Sequence, residues 1–518
     1  MTGTPSISRG MTAGDQLARH ARKIPDTVAL RFGGTGRTYR ELDERVSRLA
    51  NALRERGVGT GDRVAVLGLN SMEVVEAFLA PNRLGAIGVP VNFRLVAGEI
   101  AYLLEDSGAK AAVVDARFAP VFAEACEGLA EPPVCLVIGG ASDLDYESAL
   151  AAADPVYEGP AVDDRQPAYI MYTSGTTGRP KGAVLSHYNL LMHAFSTAID
   201  AGSSAEESVS LNGAPLFHIA GLSSYLMALL PGGTYVLTQS GGFDPVAAVE
   251  QLARERVSSC FYVPAQWQAI CSVPNIADYD LSALRHISWG AAPASTTLLR
   301  TMIDTFPQAE VATAFGQTEC SPVTCALRGE DSVRKIGSVG KPILNVEMRV
   351  VDEDMNDVPQ GEVGEIVYRG PMVMLEYWNK PEATAEAFAG GWFHSGDLVR
   401  QDEDGYLYVV DRKKDMIISG GENIYCAEVE DALAGYPGLA EVALIGVPDE
   451  KWGEVPLAVL APSDPSAPPT AADIEAFGRD RLAAYKVPKR IEVVSELPRN
   501  PSGKVLKTEL RKRYATGA

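Results

Sequence analysis

An α/β architecture follows from three features of the sequence. Helix and strand signals alternate over the first 330 residues, a glycine- and hydroxyl-rich loop interrupts them at 173–182, and short β-rich segments replace them from Val339 to Val410. The alternation is the rhythm of βαβ units, which bury parallel or mixed sheets under helices. The expected fold is a large N-terminal body of such sheets with a β-rich subdomain, followed by a small α+β C-terminal domain.

The elements read in order. Thr38-Tyr-Arg-Glu41 has the form of a capping box, and Leu42, Val46, Leu49 and Leu53 follow on one helical face. The turn Gly57–Asp62 leads into a strand at Arg63–Leu69, then a helix over Ser71–Leu84 and a strand at Ala86–Val91. Val346–Val351, Gly364–Tyr368 and Tyr406–Val410 are short strands. Beyond Asp411 come strands at Ala443–Val447 and Pro456–Leu460, a helix over Ala471–Ala484 and a strand at Arg490–Val494. The Pro/Ser/Ala-rich stretch Ser463–Thr470 is a surface loop within this last part. The domain reading is 1–411, with the β-rich subdomain at about 339–411, then 412–518.

Composition narrows the function. The 518 residues are 46% hydrophobic and 22% charged, so the chain can bury a sizeable core. With 67 acidic against 46 basic residues the net charge is −21, which argues against a nucleic-acid partner. No apolar run approaches the ~18 residues needed to span a bilayer. The first 24 residues hold no signal-peptide core, so a cytoplasmic location is expected. Seven cysteines without a Cys-x-x-Cys pair read as reduced thiols, not as disulfides or a zinc site. Six histidines show no metal spacing.

The most informative segment is Tyr172-Thr-Ser-Gly-Thr-Thr-Gly-Arg-Pro-Lys-Gly182, placed between a strand at Ala168–Tyr172 and a helical run from Ser186. Its glycines expose backbone N–H groups and its hydroxyls add donors. Lys181 adds a point charge. That chemistry suits a polyphosphate, yet the spacing is not that of a Walker A loop.

This segment resembles the signature of the adenylate-forming superfamily, which includes acyl- and aryl-CoA synthetases, nonribosomal adenylation domains and firefly-type luciferases. Further blocks match in order: Pro215–His218, Trp289–Pro293, Thr313–Glu319, Trp392–Asp397, Asp411–Gly421 and Pro498–Lys504. Together they span residues from about 25 to 510.

The resemblance implies a two-step ligase. A carboxylate attacks the α-phosphate of ATP to give acyl-AMP and pyrophosphate, and CoA then displaces AMP. In that scheme Thr173, Ser174, Gly175, Thr176, Thr177 and Lys181 cradle phosphates, while Glu319 and Thr173 hold Mg²⁺. Thr318 reaches the α-phosphate. Phe315 stacks on adenine, with Gly316 beside it and Gly290, Ala291 and Ala292 along the base. Asp397 and Arg412 meet the ribose. Lys504 drives adenylation, and Lys414 is the hinge of a mobile C-terminal domain. Ser419, Gly420 and Gly421 leave room for the pantetheine arm of CoA. His218, Trp289 and Ala314 border the acyl group, implying a hydrophobic monocarboxylic acid of fatty, aromatic or polycyclic type. Glu376 stands where the family more often has glycine.

Alternatives stay open. A stand-alone enzyme could load a carrier-protein phosphopantetheine, or specialise in one half-reaction. A luciferase-like oxygenase and a nucleotide-binding pseudoenzyme are further rivals. The resemblance also leaves room for a homodimer or a separate carrier protein. From Lys486 to Ala518 nine basic residues face three acidic ones, a net +6 that leaves −27 on the rest. These cations, Arg511 to Arg513 among them, are candidates for contact with CoA phosphates or pyrophosphate.

Overall fold

The computed structural model describes residues 10–140, 145–173, 179–202, 208–292, 294–329, 331–420, 422–449, 451–479, 481–499 and 505–514. They form two compact units: Met1–Glu347 with Tyr368–Phe393, and Met348–Val367 with His394–Ala518.

The first unit contains two large sheets. In the seven-stranded sheet, Pro167–Thr173, Ile87–Val91, Arg63–Leu67, Ala109–Asp115 and Val134–Ile138 lie side by side and parallel. Ile87–Val91 is buried at every position, as a parallel strand covered on both faces should be. The expected helix at 71–84 runs Met72–Leu84, capped by the Ser71 hydroxyl at one end and left-handed Gly85 at the other. The capping box at Thr38 also forms: its hydroxyl accepts from Glu41 N and the Glu41 carboxylate accepts from Thr38 N. Such a cap contributes about 1 kcal/mol.

The helical run expected from Ser186 forms as His187–Asp200. Between the signature loop and that helix the chain adds an element that the sequence pattern leaves unassigned, the strand Lys181–Ser186, antiparallel to Pro167–Thr173, with Thr173 opposite Lys181. Gly182–Ser186 is continuously buried, so this apolar run is a core strand before Ser186 caps the helix His187–Asp200. The short strand Glu376–Tyr377 adds to its outer edge.

In the nine-stranded sheet the parallel strands Ser259–Phe261, His286–Gly290 and Glu310–Gly316 pack on a cluster that includes Trp267, Met302 and Phe306. The Glu310–Gly316 strand pairs antiparallel with Val323–Leu327.

The second unit holds most of a four-stranded sheet and a five-stranded sheet built on the long hairpin Leu439–Asp449 and Gly453–Pro462. Ile417, Val429, Leu444, Leu460 and Ile474 form one of its apolar clusters. The compact units divide the chain differently from the expected 411 boundary: most of the β-rich segment is grouped with the C-terminal residues. The strand Leu407–Arg412 packs against the helix Cys426–Ala434, and Cys426 N donates to the Asp411 carboxylate. The helix expected over 471–484 ends at Arg479: past Gly478 both Arg481 N and Leu482 N donate to the Gly478 carbonyl, closing a turn. No helix among the described residues is long and apolar enough to cross a membrane.

Candidate functional site

In the first unit, the two sheets bring their strand ends to one corner. Thr173 ends Pro167–Thr173, and Glu319 sits in a short 3-10 turn, Thr318–Cys320, just beyond Glu310–Gly316. The carboxyl ends of parallel strands are where open α/β sheets bind ligands. Glu319 is 9% exposed. Its Oε1 accepts from Tyr377 OH at 2.9 Å and lies 3.5 Å from Thr173 Oγ1. Lys181 Nζ lies 5.3 Å from the Tyr377 ring centre. Thr173, Lys181 and Glu319, widely separated in sequence, thus share one corner. Burial and the Glu319 charge both push the Tyr377 phenol far above its ordinary pKa, so it remains a donor.

Tyr377 was not singled out from sequence. It lies in the block where Glu376 replaces the usual glycine, and that departure drew the attention instead. The structure explains Glu376: it is an exposed residue of an extended edge strand, paired with Val184. No left-handed backbone is required there, so glycine is not either.

The turn after the Glu310–Gly316 strand does require glycine. Gly316 has φ +152°, and a Cβ there would lie 2.0 Å from the Pro322 carbonyl. Gln317 N donates to that same carbonyl, which fixes the turn presenting Thr318 and Glu319. Phe315 is half-buried beside it. Gly290 pairs in register with Ala314, and a Cβ at Gly290 would lie 2.1 Å from the Ala314 carbonyl. Ala291 follows with φ +65°, and Ala292 is exposed. Trp289 faces the same side of its strand as Ile287 and joins the apolar cluster with Leu298 and Met302, so its side chain belongs to the core. His218 caps the helix Ile219–Leu229, its Nδ1 accepting from Ala220 N. Next to it, Phe217 packs edge-on against Phe93 at 5.3 Å.

In the second unit, Asp397 and Arg412 stand opposite each other on antiparallel strands. Asp397 is 3% exposed, and its Oδ1 lies 2.5 Å from Arg412 Nε. Lys414 lies in the turn that follows. Partial burial lowers its pKa, with Arg412 and Arg511 repelling and Asp415 and Asp397 attracting. Arg511 is ion-paired with Asp415 at 2.9 Å, so it is engaged within the fold and is not an open cation for a cosubstrate. Asp411 is buried, and that burial pushes its carboxyl up to about 6.

Ser419 and Gly420 lie at the turn of the hairpin Ile417–Ser419 and Glu422–Ile424. Gly420 has φ +61°, and a Cβ there would lie 2.6 Å from the Trp452 indole, so the indole packs against its bare backbone. Trp452 was not anticipated; the Trp-Gly pair at 452–453 was its only signal.

Ser174, Gly175, Thr176, Thr177, Gly421 and Lys504 lie outside the described residues. Among the described residues no cluster of three or more His, Cys, Asp or Glu could hold a metal. Thr173 and Glu319 carry hard oxygens of the kind Mg²⁺ takes a few of, keeping water in its other positions. Burial pushes the Cys135 and Cys325 thiols up to about 12, in keeping with inert reduced cysteines.

The corner at Thr173 and Glu319 belongs to a recognised family. The model of the AMP-binding enzyme family matches residues 17–378, and that of the AMP-binding enzyme C-terminal domain matches 428–504. The chain is a member of this adenylate-forming family and a ligase of its acyl-CoA synthetase class. A feruloyl-CoA synthase of Amycolatopsis sp. is 44% identical over 98% of this chain and 100% of its own. A long-chain-fatty-acid–CoA ligase of Mycobacterium tuberculosis is 38% identical over 92% of this chain and 93% of its own. Among solved structures, an o-succinylbenzoate CoA synthetase from Bacillus subtilis is 32% identical. Its complex with the acyl-adenylate intermediate matches with TM-score 0.85 over 96% of this chain and 97% of that one. Its complex with ATP and magnesium ion matches with TM-score 0.86 over 96% and 99%.

Proposed function

We propose that this ATP-dependent acyl-CoA synthetase activates an aromatic monocarboxylic acid of the phenylpropenoate type. The observation that carries the substrate reading is the end-to-end alignment at 44% identity with a feruloyl-CoA synthase. ATP, Mg²⁺ and CoA are its cosubstrates and cofactor. The small residues Ala291, Ala292 and Ala314 near one strand end suit a flat ring better than a charged or bulky group.

Two anions must meet in the first step, so the chain's task is to neutralise and align them. Thr173 and Lys181 hold the outer phosphates and Thr318 the α-phosphate. Glu319 and Thr173 supply oxygens for Mg²⁺, which when bound neutralises phosphate charge. Tyr377 fixes the Glu319 carboxylate by donating to Oε1. Phe315 stacks on adenine; Asp397 and Arg412 orient the ribose. Lys504 places its ammonium between the carboxylate and the α-phosphate. Lys414 is the pivot that exchanges this arrangement for thiolation, in which the Ser419–Gly421 turn borders the pantetheine arm. Domain alternation of this kind works because each ligand favours one state.

The test is AMP release across a panel of ferulate, indoleacetate, benzoate and long-chain acids, with and without CoA. CoA-stimulated turnover greatest with ferulate is expected. Highest kcat/KM on a long-chain acid overturns the substrate reading, and acyl-adenylate without thioester transfers the second step to a carrier protein. In single-turnover assays Lys504→Ala should slow adenylate formation by roughly 10²–10³-fold while sparing thiolation of supplied acyl-adenylate; equal loss in both sinks that assignment.

A further inference from the structure

Asp106 is the penultimate residue of the helix Ala97–Ser107, which left-handed Gly108 caps. A carboxylate at the negative end of a helix is unfavourable unless something offsets it. What offsets it comes from two distant segments. Asp106 is nearly buried, and its Oδ1 accepts from Lys380 Nζ at 2.8 Å. Its Oδ2 accepts from Tyr172 OH at 2.7 Å, and its carbonyl accepts from Trp378 Nε1 at 3.1 Å. One turn earlier on the same helix, Tyr102 OH donates to the Pro180 carbonyl at 3.0 Å. The Arg179 guanidinium stacks 5.1 Å from the Tyr102 ring centre.

These partners are not random points of the fold. Tyr172 immediately precedes Thr173, and Pro180 immediately precedes Lys181. Trp378 and Lys380 follow the short strand Glu376–Tyr377, which delivers Tyr377 to Glu319. One helix end therefore grips both stems of the phosphate loop and the segment that fixes the expected Mg²⁺ carboxylate.

We infer that Asp106, with Tyr102 one turn earlier, is a positioning residue for ATP: it sets the spacing between the loop stems and the Glu319–Tyr377 pair without touching the reacting atoms. This rests on the reading of Thr173–Lys181 as the phosphate-binding loop. The charge matters, because a carboxylate satisfies the Lys380 and Tyr172 donors at once. An amide offers one acceptor and turns its own N–H₂ against the other donor.

ATP–pyrophosphate exchange tests the inference in the full-length enzyme. Asp106→Asn should raise the KM for Mg·ATP about tenfold, the scale of one charge-assisted hydrogen bond, with kcat changed less than about twofold. Thiolation of supplied acyl-adenylate should be unchanged. Tyr172→Phe should raise the same KM by a smaller factor, and the double variant should be no worse than Asp106→Asn alone, as expected for residues acting through one contact. Should Asp106→Asn not fold, Tyr172→Phe, which deletes only a hydroxyl, carries the test. Absence of exchange in the wild type overturns the underlying reading of the loop. Exchange with an unshifted KM in folded variants, or equal loss in both half-reactions with a lowered Tm, overturns the positioning role alone.

Discussion

Two carboxylates that the sequence assigns to the nucleotide are held in opposite ways. Glu319, in the first unit, is buried with the neutral Tyr377 hydroxyl as its near donor, at 2.9 Å. Asp397, in the second, is buried against the Arg412 guanidinium at 2.5 Å. A carboxylate steadied by a neutral donor keeps its charge uncompensated and can attract a divalent cation. One already paired with arginine has its charge answered and is held in a fixed orientation. The difference fits the two tasks proposed for them: metal at Glu319, ribose at Asp397.

The contrast can be broken by substitution, starting with the largest effect. Glu319→Gln should lower ATP–pyrophosphate exchange by roughly 10²–10³-fold and raise the Mg²⁺ concentration needed for half-maximal rate. Arg412→Met should cost about tenfold in KM for ATP, because it removes the guanidinium paired with the buried Asp397 carboxylate. Steady-state kinetics with the double variant Asp397→Asn/Arg412→Met, expected to be less than additive, checks the pairing. Tyr377→Phe frees Glu319 without removing its charge. A rise of about three- to tenfold in the Mg²⁺ requirement, the scale of one hydrogen bond, is expected in the same exchange assay.

A smaller effect concerns stability. The carboxyl of Asp411 rises from 3.8 to about 6, chiefly by burial, with Lys507 attracting and Asp415 repelling its charge. The native state therefore holds the proton more tightly than the unfolded chain does. The resulting stability is complete below pH ~4 and lost as pH rises through ~6, an effect on the order of 2 kcal/mol. Urea midpoints of the wild type, measured relative to Asp411→Asn, should fall across that window. A flat difference would place the titration elsewhere.

Much of this was legible in the sequence because the chemistry is local there. The strand expected before the signature loop at Ala168–Tyr172 forms within Pro167–Thr173. The capping box at Thr38 followed from its local spacing. Three things were not legible. Lys181–Ser186 is a strand because it zips against Pro167–Thr173, a pairing set by tertiary packing and not by its own pattern. Tyr377 and Asp106 matter through partners far away in the chain, which no spacing rule records. Trp452, which packs against Gly420, also comes from a segment whose pairing no spacing rule records. The cations at the C-terminus looked equivalent in sequence, yet Arg511 is bound to Asp415 and Lys507 to Glu430.

The most direct test of the central contrast is the Mg²⁺ dependence of ATP–pyrophosphate exchange in the wild type, Glu319→Gln and Asp397→Asn. A rightward shift in the Mg²⁺ midpoint for Glu319→Gln, with Asp397→Asn changing KM for ATP at an unmoved midpoint, is the predicted result. Equal shifts in both variants, or none in Glu319→Gln, would contradict it.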